Sequence, residues 1–296
     1  MQEVIIETND ANQRLDKFLT KAYPNLKKSA MYKAIRNKKI KVNRKRAAFD
    51  QMLQTGDSIL LFLPPDMLEG KERAIQQLPD PEVVYEDENL LVLNKPKGLL
   101  SMKDQPGVQD TLNDRLLSWL CRTGRYDPNK EKSFTPAIAH RLDRNTSGLV
   151  LAGKNAESAR RLAKAIAERR VGKYYLAITD KKPKQGRIDL YLKKEGTKAL
   201  VSARPMEGYD PASMSIKTIG SKDGRYLSKI ELHTGRFHQI RASLAFLGTP
   251  LAGDAKYGGS PKKDGYDLQA FKLDLKEAGF GKAGIVALPE KSWLSL

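Results

Sequence analysis

Two proline clusters, Pro64-Pro65 and Pro79-Asp80-Pro81, bracket a polar stretch of the chain. Each proline fixes its own φ and withholds a backbone N–H, so a packed helix or strand across this stretch is disfavoured. Residues 64–81 therefore read as a linker, and the chain must build separate bodies on either side of it. A chain of 296 residues has room for one sizeable core with a small appended domain. The predicted organisation is a small domain over 12–63, the linker, and a larger domain over 82–296.

In the small domain Leu15, Phe18 and Leu19 recur at helical spacing, with Asn12 or Asp10 as the cap. Ser29 is the expected cap of a second helix carrying Met31, Tyr32, Ala34 and Ile35. Short strands are expected over 39–43 and, after the turn signal Gly56-Asp57, over 58–62. Between Leu26 and Ala47 stand ten basic residues and no acidic one. A folded helix pair would hold Lys27, Lys28, Lys33, Arg36 and Arg44 in a fixed pattern, suited to a phosphate backbone. The formal net charge of +18 agrees with a polyanionic partner. Nucleic acid is favoured over a membrane surface, because the segment has no wide amphipathic face and no anchor motif.

The longest apolar runs, such as Leu90-Leu91-Val92-Leu93, are far shorter than a bilayer span, and Met1-Gln2-Glu3 does not begin a signal peptide. A cytoplasmic protein without membrane association is expected. Cys121 is the only cysteine, which excludes an internal disulfide and a cysteine-cluster metal site. Three scattered histidines and the lack of a glycine-rich phosphate loop argue against a zinc site and a nucleotide-binding loop. No segment stands out as an interface between copies, so a monomer is the default.

The larger domain reads as many short strands with few helices. Strands are expected at 83–85, 90–94, 149–151, 174–178, 188–192, 213–218 and 225–232, and helices at 111–120 and 237–247. A further helix capped by Asn155 should bury Ala159, Leu162, Ala163 and Ile166. Without a regular βα repeat, this pattern predicts an α+β fold around a mostly antiparallel central sheet, joined to the small α/β N-terminal domain.

The segment His140-Arg141-Leu142-Asp143-Arg144-Asn145-Thr146-Ser147-Gly148 sets one acid between two arginines, directly before the apolar run Leu149-Val150-Leu151. Two readings are open. Asp143 forms a structural ion pair with Arg141 or Arg144 while His140 packs nearby, or it is a carboxylate kept for chemistry.

The segment resembles the aspartate motif of the RNA pseudouridine synthases of the RluA type. Asn94-Lys95-Pro96-Lys97-Gly98-Leu99 resembles that family's N-terminal motif, and Lys173-Tyr174-Tyr175-Leu176-Ala177 its tyrosine motif. Thr234-Gly235-Arg236-Phe237-His238-Gln239-Ile240-Arg241 resembles its arginine motif, and Leu247 to Gly258 completes the order. Arg14-Leu15-Asp16-Lys17-Phe18-Leu19 and the basic helix after it resemble, less specifically, the RNA-binding domain named after small-subunit ribosomal protein four.

The resemblance implies a mixed, mostly antiparallel catalytic sheet. It also implies conversion of uridines in structured RNA to pseudouridine, commonly in large-subunit ribosomal RNA, with no cofactor or metal. It makes Asp143 the nucleophile, Tyr175 the contact to the uracil ring, Arg241 the basic partner of the aspartate, and Arg141 a clamp on the flipped nucleotide. Arg236 and His238 are either site wall or structural hydrogen-bonding groups, and Lys95 either positions a phosphate or is a solvated turn lysine.

The chemistry is consistent with these roles. A base stacked in RNA must leave the stack before its glycosidic bond can be exchanged, at a cost of a few kcal/mol. A carboxylate then attacks C1′, removes a 2′ proton, or attacks ring C6; the sequence does not choose among these. Each route needs an ionised carboxylate, expected here in a dry pocket and held charged by a bidentate Arg241. Tyr175 would stack on uracil, with its oxygen placed to remove the C5 proton. A glycosidase would use two carboxylates and admit water; a non-catalytic RNA-binding or ribosome-assembly protein would need only the basic surface. Where many relatives have Val-His and Leu-His-Ala, this chain has Ala242-Ser243 and Leu268-Gln269-Ala270, which predicts altered pocket packing or substrate shape.

Overall fold

The computed structural model describes residues 1–69, 76–281, 284–289 and 293. By internal packing the chain forms two compact units, one of Met1–Asp80, Arg115–Ala137 and Lys154–Ala159, the other of Pro81–Asp114, Ile138–Gly153 and Arg160–Leu296. Residues 115–137 and 154–159, expected in the larger domain, thus pack with the N-terminal body. The 3-10 turn Thr8–Asp10 explains why. The Asp10 carboxylate accepts the N–H groups of Lys132 and Ser133 at 3.1 and 2.8 Å. The Asn9 amide donates to Glu131 and accepts the Ala156 N–H. Asp10 is therefore a staple between loops, where the sequence pattern suggested a helix cap.

The first unit contains β1 (Gln2–Ile5), α1 (Leu15–Ala22), α2 (Lys28–Arg36), β2 (Ile40–Val42), β3 (Lys45–Arg46), β4 (Ser58–Leu61) and the short α3 (Pro65–Leu68). Its strands form a sheet in the order β1-β4-β2-β3. Leu15, Phe18 and Leu19 of α1 and Met31, Ala34 and Ile35 of α2 are buried in its core, as helical spacing predicts. Tyr32 departs from the pattern and stands exposed. Neither helix has a side-chain cap; Arg14 and Lys27 occupy the cap positions, not Asn12 or Ser29. Part of the predicted linker, 70–75, lies outside the described residues. Ahead of it Met67 and Leu68 of α3 pack against the core.

The remaining elements are β5 (Glu82–Glu86), β6 (Leu90–Lys95), α4 (Leu112–Arg122), β7 (Ser147–Gly153), α5 (Ala156–Ala167), β8 (Gly172–Thr179) and β9 (Gly186–Glu195). They are followed by β10 (Lys198–Ser202), β11 (Asp210–Lys222), β12 (Arg225–Leu232), α6 (Gln239–Phe246), β13 (Leu268–Asp274) and β14 (Ile285–Val286). The described strands make a sheet in the order β10-β9-β11-β12-β8-β13-β7-β6-β5, with β14 on β13. Only the β13–β7 pairing among these is parallel. The expected mixed, mostly antiparallel α+β fold is present. Asn155 caps α5 through the Ser158 N–H at 2.8 Å. The buried face of α5 runs through Ser158, Leu162 and Ala165, and Ala163 is exposed instead of buried. No helix among the described residues is long and apolar enough to cross a membrane.

Strand β7 is buried along its whole length, which matches its unbroken small and apolar sequence. Its second residue, Gly148, has φ +111°, and a Cβ there would lie 2.2 Å from the Ala270 carbonyl oxygen. Only glycine lets β7 and β13 approach this closely. Gly148→Ala is expected to destabilise the fold by about 2 kcal/mol or more, read as a lowered urea midpoint. An unchanged midpoint would contradict the close-approach argument.

Candidate active site

Asp143 lies in the loop that enters β7, and the segment from Lys95 to Ser101 fixes that loop on both sides of it. The Ser101 hydroxyl donates to the Leu142 carbonyl at 2.7 Å and accepts the Leu142 N–H at 3.0 Å. On the other side, Gly98 N–H donates to the Arg144 carbonyl at 2.9 Å, and Arg144 Nε donates to the Gly98 carbonyl at 3.0 Å. Lys95 has no exposed surface, and its Nζ donates to the carbonyls of Pro96, Leu99 and Arg144 at 3.0, 2.7 and 3.0 Å. Burial lowers its pKa to about 7, with the negative charge of Asp143 pulling it back up. Lys95 is thus neither a phosphate contact nor a solvated turn lysine. All three of its donors are spent on backbone carbonyls, and it ties two loops together.

The ion pairs suggested by sequence neighbours do not form. Arg141 is exposed, and Arg144 is engaged with Gly98. Asp143 instead meets three donors from distant segments, all on Oδ2. Arg241 Nη1 donates at 3.3 Å, the Tyr266 hydroxyl lies at 3.5 Å, and His238 Nε2 lies at 3.6 Å. Oδ1 has no hydrogen-bond partner among the described residues. The carboxylate side chain keeps 28% of its surface exposed, so the expected dry pocket is instead a half-open one.

Arg241 reaches Asp143 with a single nitrogen because its fork is used elsewhere. Its Nε and Nη2 donate to Asp254 Oδ2 and Oδ1 at 2.8 and 2.9 Å, and the Asp254 side chain is 1% exposed. The bidentate partner of Arg241 is thus Asp254, not Asp143 as expected. Burial opposes the guanidinium charge, but Asp254, together with Tyr266 and Asp143, outweighs it and raises the pKa above the ordinary arginine value. Asp254 is held by a tight backbone: at the preceding Gly253 (φ +87°) a Cβ would meet the Gly265 carbonyl at 2.3 Å. That contact places Tyr266 beside Asp254's partner, with the Arg241 guanidinium 4.2 Å from the Tyr266 ring centre.

The arginine motif owes its shape to Gln239. Its buried Oε1 accepts from the Thr234 hydroxyl at 2.8 Å and from the Arg236 N–H at 3.0 Å, and its Nε2 donates to the Ser213 carbonyl. The knot forces His238 into the left-handed region, φ +52°, directly ahead of α6. The imidazole stacks on Phe237 with centroids 3.8 Å apart. Arg236, expected as a site wall or a structural hydrogen-bonding group, donates to the Pro211 carbonyl and pairs with Asp210, both of β11.

Tyr175 sits on β8 between Ile230 and Ala270 and is buried. Burial first, and the charge of Asp143 second, raise its phenol pKa above the ordinary tyrosine value. The same two causes raise Tyr266. Tyr266 was not singled out from the sequence, which gives no signal for it beyond an aromatic next to the Leu268-Gln269-Ala270 departure. Gln269 donates to the Leu288 carbonyl at 2.9 Å; its neighbour Ala270 pairs with Tyr175, so Gln269 belongs to the opposite face of the sheet. His140, the other motif histidine, accepts the Leu151 N–H through Nε2 at 3.2 Å. Lys27, Lys28, Lys33, Arg36 and Arg44 are exposed on the N-terminal unit; Asn43 and Arg44 both have positive φ, forming a two-residue turn between β2 and β3.

The contacts of His238 fit a neutral imidazole with its proton on Nε2. The Tyr257 oxygen accepts the Ala199 N–H at 2.7 Å and lies 2.9 Å from His238 Nδ1. In that assignment Tyr257 donates its proton to Nδ1, and the histidine proton sits on Nε2, on the side of Asp143. Burial lowers the His238 pKa to about 4, against the opposing pull of Asp143. The group is therefore protonated to the cation only as pH falls toward 4. Nitrogen-15 NMR is expected to show a neutral Nε2–H tautomer from pH 8 down to about 5. A midpoint near the ordinary 6.5 would overturn the assignment.

The profile of the RNA pseudouridylate synthase family matches residues 89–246, and that of the S4 domain matches residues 13–59. An uncharacterized RNA pseudouridine synthase of Mycoplasma capricolum is 31% identical over 290 residues, covering 93% of this chain and 92% of the relative. Ribosomal large subunit pseudouridine synthase C of Rickettsia felis is 32% identical over 298 residues, covering 94% of each. Among solved structures, human RNA Pseudouridylate Synthase Domain Containing 4 superposes with a TM-score of 0.59 at 22% identity, over 72% of this chain and 90% of that one. That last likeness speaks for the fold. With its ordered motifs and its sheet, the chain belongs to the RNA pseudouridylate synthase family, enzymes that isomerise uridine in RNA.

Proposed function

We propose that Asp143 is the nucleophile of this reaction and that the substrate is a uridine in structured, large-subunit ribosomal RNA. The observation that carries the first part is the convergence of Arg241, Tyr266 and His238 on one oxygen of Asp143. Arg241 and Tyr266 donate to Oδ2 and hold the charge and the aim of the carboxylate, His238 stands just beyond hydrogen-bond reach, and Oδ1 is left for the nucleotide. The ribosomal assignment rests on the relatives from Rickettsia felis and Vibrio vulnificus, each named ribosomal large subunit pseudouridine synthase C.

In this reading the target nucleotide leaves its stack and enters the half-open pocket at Asp143, with its ring toward Tyr175. The N1–C1′ bond breaks, the uracil turns, and a C5–C1′ bond forms. The hydrogen on C5 is then lost as a proton, and N1 ends protonated, so no electrons are gained or lost overall. Tyr175 is a neutral phenol at physiological pH, and burial with the charge of Asp143 makes its ionisation harder still. That favours a stacking contact over the role of proton acceptor suggested by sequence.

A second acid does sit near Asp143, as a glycosidase would require, but Asp254 has both oxygens engaged by Arg241 and is closed to solvent. It has no free oxygen to activate water. The exposed arginine Arg141 is assigned to the backbone or the vacated stack of the bound RNA, and the basic residues of α2 and the β2–β3 turn to further phosphates.

The test is tritium release from ribosomal RNA labelled at uridine C5. The wild-type protein is expected to release it, and Asp143→Asn to lose at least about a thousandfold in rate while still binding RNA. Equal release by the variant would remove Asp143 from the mechanism. Binding without release by the wild type would favour the non-catalytic RNA-binding reading.

A further inference from the structure

The N-terminal unit carries a cluster that the catalytic reading does not use. Tyr32 of α2 and Phe49, which follows β3, are 42% and 44% exposed, and their rings meet edge to face with centroids 5.5 Å apart. The Arg14 guanidinium lies 5.5 Å from the Phe49 centroid. Single exposed aromatics are ordinary on protein surfaces. Here all three groups are tied to one residue, Asp16. Its carboxylate accepts the Arg14 fork at 3.1 and 2.8 Å and the Tyr32 hydroxyl at 3.3 Å. Its backbone N–H donates to the Phe49 carbonyl at 2.9 Å. The Asp16 side chain is 6% exposed, so a buried acid is spent on orienting groups at the surface.

The chemistry around the cluster identifies its partner. Lys28 and Arg36 stand four residues before and after Tyr32, on the same exposed face of α2. A rigid aromatic and guanidinium surface flanked by cations suits a π-faced base whose neighbouring phosphates need neutralising. A base inside a duplex has its faces covered by its neighbours, so only an unpaired base can use such a surface. We propose that Arg14, Tyr32 and Phe49 form a stacking platform for an unpaired base of the RNA substrate, with Lys28 and Arg36 on the adjoining phosphates. The site would make the N-terminal unit prefer RNA with a bulge or loop over a continuous duplex.

The proposal rests on the proposed function for its RNA partner. It is tested with the full-length protein and two synthetic RNA hairpins, one carrying a single unpaired adenosine in its stem and one fully paired, by fluorescence anisotropy over a salt series. Tyr32→Ala and Phe49→Ala are expected to raise the Kd for the bulged hairpin about tenfold and to leave the paired one unchanged. Tyr32→Trp should retain the preference. The salt dependence should be unchanged in the aromatic variants and shallower, on both hairpins, in Lys28→Ala/Arg36→Ala. Equal Kd values for wild type and both alanine variants on the bulged hairpin, or equal losses on the two hairpins, would overturn the platform. Tritium release by the same wild-type preparation separates the readings. Release with no aromatic effect removes the platform alone, and an aromatic effect without release removes the catalytic reading alone. Failure of the wild type to bind either hairpin overturns the platform as well.

Discussion

The buried pair of Arg241 and Asp254 is the interaction on which the catalytic unit is organised. Both side chains are almost wholly removed from water. Taking two charges out of water is unfavourable, and such a pair is tolerated only with good geometry and further hydrogen bonds. The fork of Arg241 meets both oxygens of Asp254, which locks the guanidinium plane. Its remaining nitrogen, Nη1, then faces Asp143. Breaking such a pair by removing one partner costs about 3–5 kcal/mol, so the orientation of Arg241 is not free to drift. The pair thus acts as a fixed reference for the reactive carboxylate, with the Tyr266 ring stacked against the guanidinium and its hydroxyl completing the approach to Asp143.

The loop that carries Asp143 is built from the opposite direction. Lys95, Gly98 and Ser101 hold the residues on either side of it, and Gly148 lets β7 follow at close range to β13. A lysine with no exposed surface is an expensive device for joining loops, and it fixes three carbonyls at once. Two rigid assemblies, one on the β6 side and one on α6 and the loop before β13, therefore meet at Asp143. The N-terminal unit shows the same strategy at its surface, where buried Asp16 orients Arg14 and Tyr32.

Much of this was legible in the sequence, and the gaps have physical causes. Leu15, Phe18 and Leu19 announced a helix by spacing, and Leu149 to Leu151 a buried strand by composition, because both signals are local. The ordered motifs located Asp143, Tyr175, His238 and Arg241, which the fold gathers within one unit. The bidentate partner of Arg241 was missed because Asp254 comes thirteen residues later, after a turn whose course depends on glycine packing. The fate of Lys95 was missed because nothing local marks a lysine whose three acceptors are backbone carbonyls. Asp10, Asn12 and Ser29 looked like caps by residue type. Asp10 instead serves a long-range staple, and the helices begin elsewhere. Tyr32 sat in an apolar helical pattern but faces solvent, since Asp16 claims its hydroxyl.

Asp254 acts on the reaction only through Arg241. A double-mutant cycle on the rate of tritium release, with Asp254→Asn and Arg241→Gln separately and together, measures this directly. Asp254→Asn is expected to slow the wild-type enzyme by about tenfold to a hundredfold and to have little further effect once Arg241 is replaced, in proteins whose circular dichroism shows them folded. Effects of the two substitutions that simply multiply would contradict it.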